Sequence, residues 1–213
     1  MRFTRLSSLA LLGSVFVSSN LIAGEVSLRY EDFYSRMKVM HKENYQLIEL
    51  TFSVPQTQGC KIEKANISTE RRTVPLSFTK AQRLYLPYDV ELKQQRALVN
   101  LQVDGESANC GLAVQIRAKS PKAEYDQATL KQIYSEMDEM QGAMKGFPMK
   151  YFHDAIQGLR FTLPADTRVV LEQDKGYEEF TVSGNWSLSA EQIEQSKSLT
   201  FSAVPQVISP WVE

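Results

Sequence analysis

The two histidines are the side chains of this sequence that could act as bases near neutral pH. His41 lies in a segment with helical periodicity, and His153 is followed directly by Asp154. A histidine that takes a proton from a nucleophile usually needs a carboxylate to orient its ring. Adjacent residues of a strand point to opposite faces, so Asp154 is poorly placed to orient His153. The pair is a candidate site for a hydrolase, with an ordinary surface histidine as the competing interpretation.

No motif completes that chemistry. The sequence has no Gly-x-Ser-x-Gly turn, no Ser-x-x-Lys with its partners and no glycine-rich phosphate loop. The carboxylates of Glu136, Asp138 and Glu139 recur on one predicted helix and resemble a solvated face. We therefore assign no catalytic residue and no cofactor, and we expect a protein that is not an enzyme.

Methionines recur at three- and four-residue steps in two helical segments: Met37 and Met40 beside His41, then Met137, Met140 and Met144. Thioether and imidazole ligands together suit Cu(I). The same spacing is that of a core stripe, and methionine fills irregular gaps in cores well. No group of histidines, cysteines and carboxylates has zinc spacing. No metal is assigned, and Cu(I) binding through the methionine faces stays open as an alternative.

The only cysteines are Cys60 and Cys110, without a C-x-x-C spacing or a neighbouring histidine. Two such residues in an exported chain most often form a disulfide. The bond would close a loop of about 50 residues and stabilise the fold by on the order of 4 kcal/mol in the chain-entropy model.

The N-terminus has the three parts of a secretory signal peptide. Arg2 and Arg5 precede an apolar run from Leu6 to Val17, and Ala23 supplies a small residue at the exit. The run of about a dozen residues is shorter than the ~20 that span a bilayer. We expect cleavage after Ala23, with cleavage after Gly24 as the alternative, which leaves a soluble periplasmic chain with no integral membrane segment.

The balance of acidic and basic residues argues against one class of partner, nucleic acid. The whole chain has 24 basic and 25 acidic residues, and loss of the leader removes two arginines and no acid. A slightly acidic chain without a basic block argues against nucleic acid, for which a basic face supplies most of the affinity. An unknown envelope protein or a small ligand remains as the partner.

Hydrophobic periodicity predicts two helices and a larger number of strands. The first helix covers residues 30–41, and the second begins at Ser120-Pro121 and ends at Gly146 and Pro148. Period-two alternation predicts strands at residues 48–54, 74–78, 99–103, 112–116, 159–163, 169–171, 180–182 and 199–203. The predicted fold class is α+β and mostly antiparallel β, with two sandwich-like halves that are each preceded by one amphipathic helix.

A repeated pattern suggests that the two halves are related. Arg83-Leu-Tyr-Leu-Pro-Tyr-Asp89 and Arg160-Phe-Thr-Leu-Pro-Ala-Asp166 share an order of residue types, and Tyr34-Ser-Arg-Met37 matches Tyr134-Ser-Glu-Met137. Asp89 and Asp166 thereby join the candidate functional residues. The alternatives are chance matches and a structural role, in which proline ends a strand and aspartate caps a turn.

The domain prediction has three parts. Residues 1–23 form the signal peptide. Residues 24–119 form an N-terminal helix plus β domain with the disulfide, and residues 120–213 form a C-terminal helix plus β domain.

Several of these segments together resemble a known family. They are the signal peptide, Tyr30-x-x-Phe33-Tyr34-x-x-Met37-Lys38, the strand ending in Phe52, Cys60, Leu84-Tyr-Leu-Pro-Tyr-Asp89 and Ala97-x-Val99-x-Leu101. The family consists of uncharacterised exported proteins of marine and related gamma-proteobacteria, catalogued as a domain of unknown function. The resemblance covers most of the mature chain. It implies a Gram-negative periplasm and brings no activity, so it assigns no catalytic residue.

The expected function is that of a non-catalytic binding or interaction module of the cell envelope. Exposed edge strands could bind a partner by β-addition. The alternatives are a periplasmic hydrolase that uses His153 and a Cu(I)-binding protein.

Overall fold

The computed structural model describes residues 23–55, 60–104, 110–146 and 154–212, which form twelve strands and four helices. The first seven strands are β1 (Ala23–Arg29), β2 (Ile48–Ser53), β3 (Lys61–Ser68), β4 (Thr73–Pro75), β5 (Arg83–Leu84), β6 (Leu98–Asp104) and β7 (Ala113–Ala118). The other five are β8 (Glu124–Asp126), β9 (Gly158–Gln173), β10 (Gly176–Ser189), β11 (Ser196–Phe201) and β12 (Val207–Trp211). The helices are α1 (Tyr30–Glu43), α2 (Val90–Gln94), α3 (Gln127–Met144) and α4 (Ala190–Gln195). The predicted α+β class with mostly antiparallel strands is confirmed.

The first half of the chain forms two antiparallel sheets. One has the strand order β1-β6-β3-β4, and the other has the order β5-β2-β7. Their apolar faces meet α1 and α2 in a core that includes Tyr30, Phe33 and Leu101. A strand, β1, leads directly into α1 and pairs along its whole length with β6.

The second half forms one larger sheet. Its strand order is β10-β9-β11-β8, and β12 also pairs with β9. The long strand β9 bends near Asp166, whose φ of +54° lies in the left-handed region. Residues before the bend pair with β12, and residues after it pair with β11, so the two parts of β9 have different neighbouring strands.

The two halves share one pairing order. The order β1-β6-β3-β4 of the first half corresponds to the order β8-β11-β9-β10 of the second half. In this match the end of β9 corresponds to β3, and the start of β10 corresponds to β4. The order β5-β2-β7 corresponds to the end of β10, the start of β9 and then β12. A short helix precedes the inner strand in both halves, since α2 leads to β6 and α4 leads to β11. Descent from a duplicated gene stays a prediction.

One of the two sequence matches agrees with this correspondence. On α1 the buried face includes Tyr30, Phe33 and Met37, and on α3 it includes Leu130, Ile133 and Met137 at the same intervals. The Leu-Pro-x-Asp copies do not correspond. The stretch 83–89 runs from β5 to the N-cap of α2, whereas 160–166 lies inside β9.

The predicted start of the second helix at Ser120-Pro121 is wrong. Residues Glu124–Asp126 form β8, which pairs with β11. The Asp126 side chain then accepts a hydrogen bond from the Thr129 amide at 2.8 Å, which makes Asp126 the N-cap of α3. Burial of Tyr125 against Phe201 favours the strand at this point.

The halves meet along α3 and the neighbouring strands β7 and β12. The Glu136 carboxylate of α3 accepts hydrogen bonds from the backbone amides of Gln46 at 3.2 Å and Leu47 at 2.8 Å. Asp138 accepts one from the Ile156 amide at 2.9 Å. The interpretation of these carboxylates as a solvated face is therefore wrong for Glu136 and Asp138, which bind the backbone.

The disulfide prediction is confirmed. Cys60 and Cys110 are bonded, with 5.5 Å between their Cα atoms, and both are buried. Cys60 directly precedes β3, and Cys110 lies shortly before β7, so the bond ties the two sheets of the first half together. The predicted leader falls on residues 1–22, which lie outside the described residues, and on Ala23 at the start of β1. Within the described ranges, no helix is both long and apolar enough to cross a membrane.

Candidate functional site

The sheet β5-β2-β7 is incomplete on one side. Strand β7 pairs with all six residues of β2, but β5 pairs only with Phe52 and Ser53. On that side no other strand of the described chain covers residues 48–51 of β2. We call residues 48–51 the open edge of β2.

The chain after β5 is held away from this edge. The Tyr85 amide donates to the Ser77 carbonyl at 3.0 Å, so the chain turns toward the preceding loop. The hydroxyl of buried Tyr30 donates to the Pro87 carbonyl at 2.5 Å and accepts from the Asp89 amide at 3.0 Å. Proline has no amide hydrogen to offer to β2. These contacts explain why β5 stops after two residues.

A cavity of about 370 Å³ opens beside the open edge. Its apolar lining comes from α1, β2 and the segment after β5: Met37, Met40, Ile48, Leu50, Phe52 and Leu86. Its polar lining includes His41, Tyr45, Glu49, Arg83, Tyr85 and Lys119. This volume lies at the lower end of the range for small-ligand sites. We call it the β2 cavity.

The charged side chains of the β2 cavity are partly neutralised. Arg83 forms an ion pair with Glu49 at 2.7 Å, with about a quarter of each side chain exposed. The Lys119 ammonium donates to the Tyr45 carbonyl at 2.6 Å. Among the described residues no carboxylate lies within 4.0 Å of that ammonium. The lining therefore carries one cationic side chain in excess, which favours an anionic group in whatever binds there.

Tyr45 adds a neutral phenol to the wall of the cavity. Burial, and after it the negative charges of Glu139 and Glu43, together raise the pKa of Tyr45 to about 12. The residue is only 8% exposed. At neutral pH it therefore keeps its proton.

His41 is part of an aromatic stack at the mouth of the cavity. Its ring lies 4.1 Å from the Tyr88 ring, which in turn stacks on Tyr34 at 4.9 Å. The Lys93 ammonium lies 5.5 Å from the centre of the Tyr34 ring. Among the described residues His41 has no hydrogen-bonded carboxylate that would orient it as a base. The stack offers a flat surface for binding.

The structure gives Asp89 and Asp166 different surroundings. The Asp89 side chain accepts from the Glu91 amide at 2.7 Å and caps α2, with Arg72 at 4.0 Å. Asp166 is exposed at the bend of β9, where its amide donates to the Ser183 hydroxyl at 2.9 Å. Asp89 is a helix cap and Asp166 lies within β9, and neither lines the β2 cavity.

The other predicted pair is only half described. Asp154 is exposed and lines a separate pocket of about 310 Å³ with Lys145 and Gln157. His153 lies outside the described residues, so its role as a base stays a prediction.

The two methionine faces differ. Met37 and Met40 line the β2 cavity together with His41. Met137 and Met140 are fully buried in the core of the second half, and Met144 packs against that core. No group of three or more histidines, cysteines and carboxylates that could hold a metal occurs in the described part of the chain.

Sequence reasoning identified His41 but missed most of the other polar residues of the β2 cavity. Arg83 and Tyr85 were noted only as parts of the repeated pattern, and Glu49 and Lys119 carry no motif of their own. The one available signal was Pro87, which limits how far a strand can continue after residue 84.

Comparison with protein-family models identifies the family of this chain. The model of the family described as "Protein of unknown function (DUF2987)" matches residues 22–163. The chain belongs to this family. The DUF2987 match includes β2, β5 and the whole β2 cavity, and it ends within β9. Searches of curated proteins and of solved structures found no match. The description of the DUF2987 family names no activity, so the functional argument depends on the site.

Proposed function

We propose that this protein is an exported, non-catalytic binding module of the cell envelope, which recognises its partner with the β2 cavity. The observation that carries the proposal is a cavity of about 370 Å³ beside an open strand edge, with an apolar wall and an excess positive charge. Apolar walls with a few fixed polar groups are typical of binding sites.

The chemistry of the lining supports recognition rather than catalysis. The lining residues of the described cavity include no serine, threonine or cysteine that could act as a nucleophile. The Glu49 carboxylate is held by Arg83, and His41 is held by aromatic stacking. These groups can fix the position of a partner.

Location in the periplasm is part of the proposal. The leader-like residues 1–23 and the Cys60–Cys110 disulfide support it, because disulfides persist in oxidising compartments. Intact-mass analysis of the native protein tests this point. We expect a chain that begins at Gly24 and is two hydrogen atoms lighter than its reduced form.

Site-specific photo-crosslinking in intact cells tests the binding role. A photoreactive phenylalanine analogue replaces Tyr85, which lines the β2 cavity, or Tyr177, which lies in the second half; both rings are exposed. We expect one discrete cross-linked product from position 85 that is missing from position 177. Equal labelling at both positions, or none at position 85, would reject the β2 cavity as the binding site.

Cu(I) binding is a second candidate because Met37, Met40 and His41 line one cavity. Titration of the protein with Cu(I) against a competing chelator tests it. The candidate requires a stoichiometric site that Met40→Leu weakens and Met144→Leu does not. A titration in which both variants match the unmodified protein would exclude it.

A further inference from the structure

We propose that the occupant of the β2 cavity is an extended peptide of a partner protein, which adds to β2 as an antiparallel strand. This inference rests on the proposed function, since it names the kind of partner that the cavity binds. It explains why a strand edge is left unpaired in a chain whose other half pairs the corresponding edge.

The second half of the molecule shows what fills the corresponding place. There, residues 184–189 of β10 pair with residues 158–163 of β9 without interruption. In the first half, β5 covers two residues of β2 and then leaves it. The strand pairing on the far side is complete in both cases, with β12 on β9 and β7 on β2. The β2 cavity therefore lies where a β-strand lies in the second half.

The backbone of the open edge points into this space. The Leu47 carbonyl accepts from the Lys119 amide, so odd-numbered residues of this stretch face β7. The Val54 amide donates to the Gln82 carbonyl on the side of β5, so even-numbered residues face the other way. By this alternation the N–H and C=O groups of Leu50 face the cavity, with no hydrogen-bond partner among the described residues. A peptide strand could bond to both groups.

The side chains around the edge define the chemistry of the peptide. Met37 and Met40 offer an adaptable apolar wall for one side chain of the peptide. Of the two cations that line the β2 cavity, Lys119 has no carboxylate partner among the described residues, whereas Arg83 already holds Glu49. We therefore expect an apolar residue and an acidic group, either a side chain or a free C-terminus, in the bound strand. Main-chain bonds provide affinity in this mode, and the alternate side chains provide specificity.

The test uses a phage-displayed library of random peptides of about eight residues, which is long enough for one strand. The library is selected on the mature protein, and the enriched peptides are then measured against Leu50→Pro and Leu50→Ala. Both variants shorten the side chain, but only proline removes the N–H that faces the cavity, and that N–H makes no bond to β7. The ratio of the two affinities isolates the backbone bond.

We expect enriched peptides to bind Leu50→Pro at least about tenfold more weakly than Leu50→Ala. We expect an acidic residue in these peptides and a loss of that preference in Lys119→Gln. N-methylation of the peptide at alternate residues should abolish binding, with little effect at the residues between. This last measurement uses the unmodified protein, so it decides the question even if Leu50→Pro does not fold.

Failure to enrich any peptide, equal affinity for the two Leu50 variants, or uniform tolerance of N-methylation would each overturn strand addition. The cross-linking experiment separates this failure from failure of the proposed function. A discrete product at position 85 without peptide binding would keep the cavity as the binding site and reject a strand as its occupant.

Discussion

The two halves of the molecule share one strand order, but the strand that corresponds to the end of β10 is much shorter in the first half. In the second half Trp186 of β10 lies opposite Phe161 of β9, and its ring also packs near Phe180 and Phe201. In the first half Leu84 of β5 lies opposite Phe52, and the chain then leaves the sheet. In the complete second half aromatic rings pack together at this place, whereas the incomplete first half has the β2 cavity. The comparison of the two halves indicates that the candidate site exists because β5 ends after two residues.

The incomplete half is also the half with the disulfide. The Cys60–Cys110 bond joins its two sheets at the end of β2 that β5 does cover. The second half has no cysteine and depends on packing around residues such as Leu159 and Phe161, which are fully buried. The following predictions test how different the two halves are, from the largest expected effect to the smallest.

Removal of the disulfide should give the largest effect. We expect the double change Cys60→Ala and Cys110→Ala to lower the free energy of unfolding by about 4 kcal/mol, because the unfolded chain is no longer closed into a loop. Denaturant unfolding measures the loss, and amide exchange locates it. Protection should fall first in β3 and β6, while β9 and β11 stay protected. Equal loss of protection in both halves would show that they unfold as one unit.

The matched methionines of α1 and α3 compare the two cores directly. Met137 is fully buried, and we expect Met137→Ala to cost about 3 kcal/mol because it leaves a closed void. Met37 is 7% exposed and borders the β2 cavity, so Met37→Ala should cost less, about 2 kcal/mol, because the space that it leaves is open to the cavity. Thermal and denaturant unfolding of the two variants check this order. Equal costs would mean that the cavity is closed in solution.

Titration of Tyr45 at high pH tests the packing at the interface between the two halves. Its ring packs in the core of the second half, and its pKa is raised to about 12. Because the unfolded chain loses this proton near pH 10, the unfolded state binds fewer protons than the folded state between pH 10 and about 12. The free energy of unfolding should therefore fall over this interval, by up to about 2 kcal/mol from this group.

The change Tyr45→Phe should remove that part of the alkaline loss, and Tyr177→Phe serves as the exposed control. Unfolding midpoints measured from pH 8 to 12, together with tyrosinate absorbance, give the comparison. A slope that is the same in Tyr45→Phe and in the unmodified protein would contradict the assignment.

The caps of the two short helices should give the smallest effect. Asp89 caps α2, and Ser189 caps α4 in a reciprocal pair with Gln192 at 2.9 and 3.1 Å. We expect Asp89→Ala and Ser189→Ala each to cost about 1 kcal/mol. The half-exposed Arg72 should add little to Asp89. Asp89→Asn is the control that keeps the cap, and a cost as large as that of Asp89→Ala would indicate a further role for the carboxylate.

Most of the elements could be predicted from the sequence because their faces alternate locally. The apolar faces of α1 and α3 and the strands β2, β6, β7 and β11 follow from their period. Strand β3 escaped prediction because a bulge between Ile62 and Lys64 shifts its alternation. The start of α3 was wrong because the Ser120-Pro121 signal is local, whereas β8 forms through its pairing with β11.

Sequence reasoning identified only part of the candidate site, since it singled out Met37, Met40 and His41 but neither the cavity nor the open edge. His153, Asp154, Asp89 and Asp166 were chosen because they stand in noticeable patterns, and none of those that the structure describes lines the β2 cavity. The cavity residues come from α1, β2, the segment after β5 and the end of β7, so they meet only in the folded chain.

By itself the sequence determined the α+β class, the apolar faces of the two long helices and the pairing of its two cysteines, because these depend on local periodicity and on residue count. Only the tertiary structure decided which strands are neighbours, that the halves share one order, and that β2 keeps an open edge. Strand pairing joins residues distant in sequence, and the early end of β5 depends on contacts of Tyr85 with Ser77 and of Tyr30 with Pro87. The open edge of β2 is defined by the absence of a neighbouring strand, and the absence of a strand leaves no pattern in the sequence.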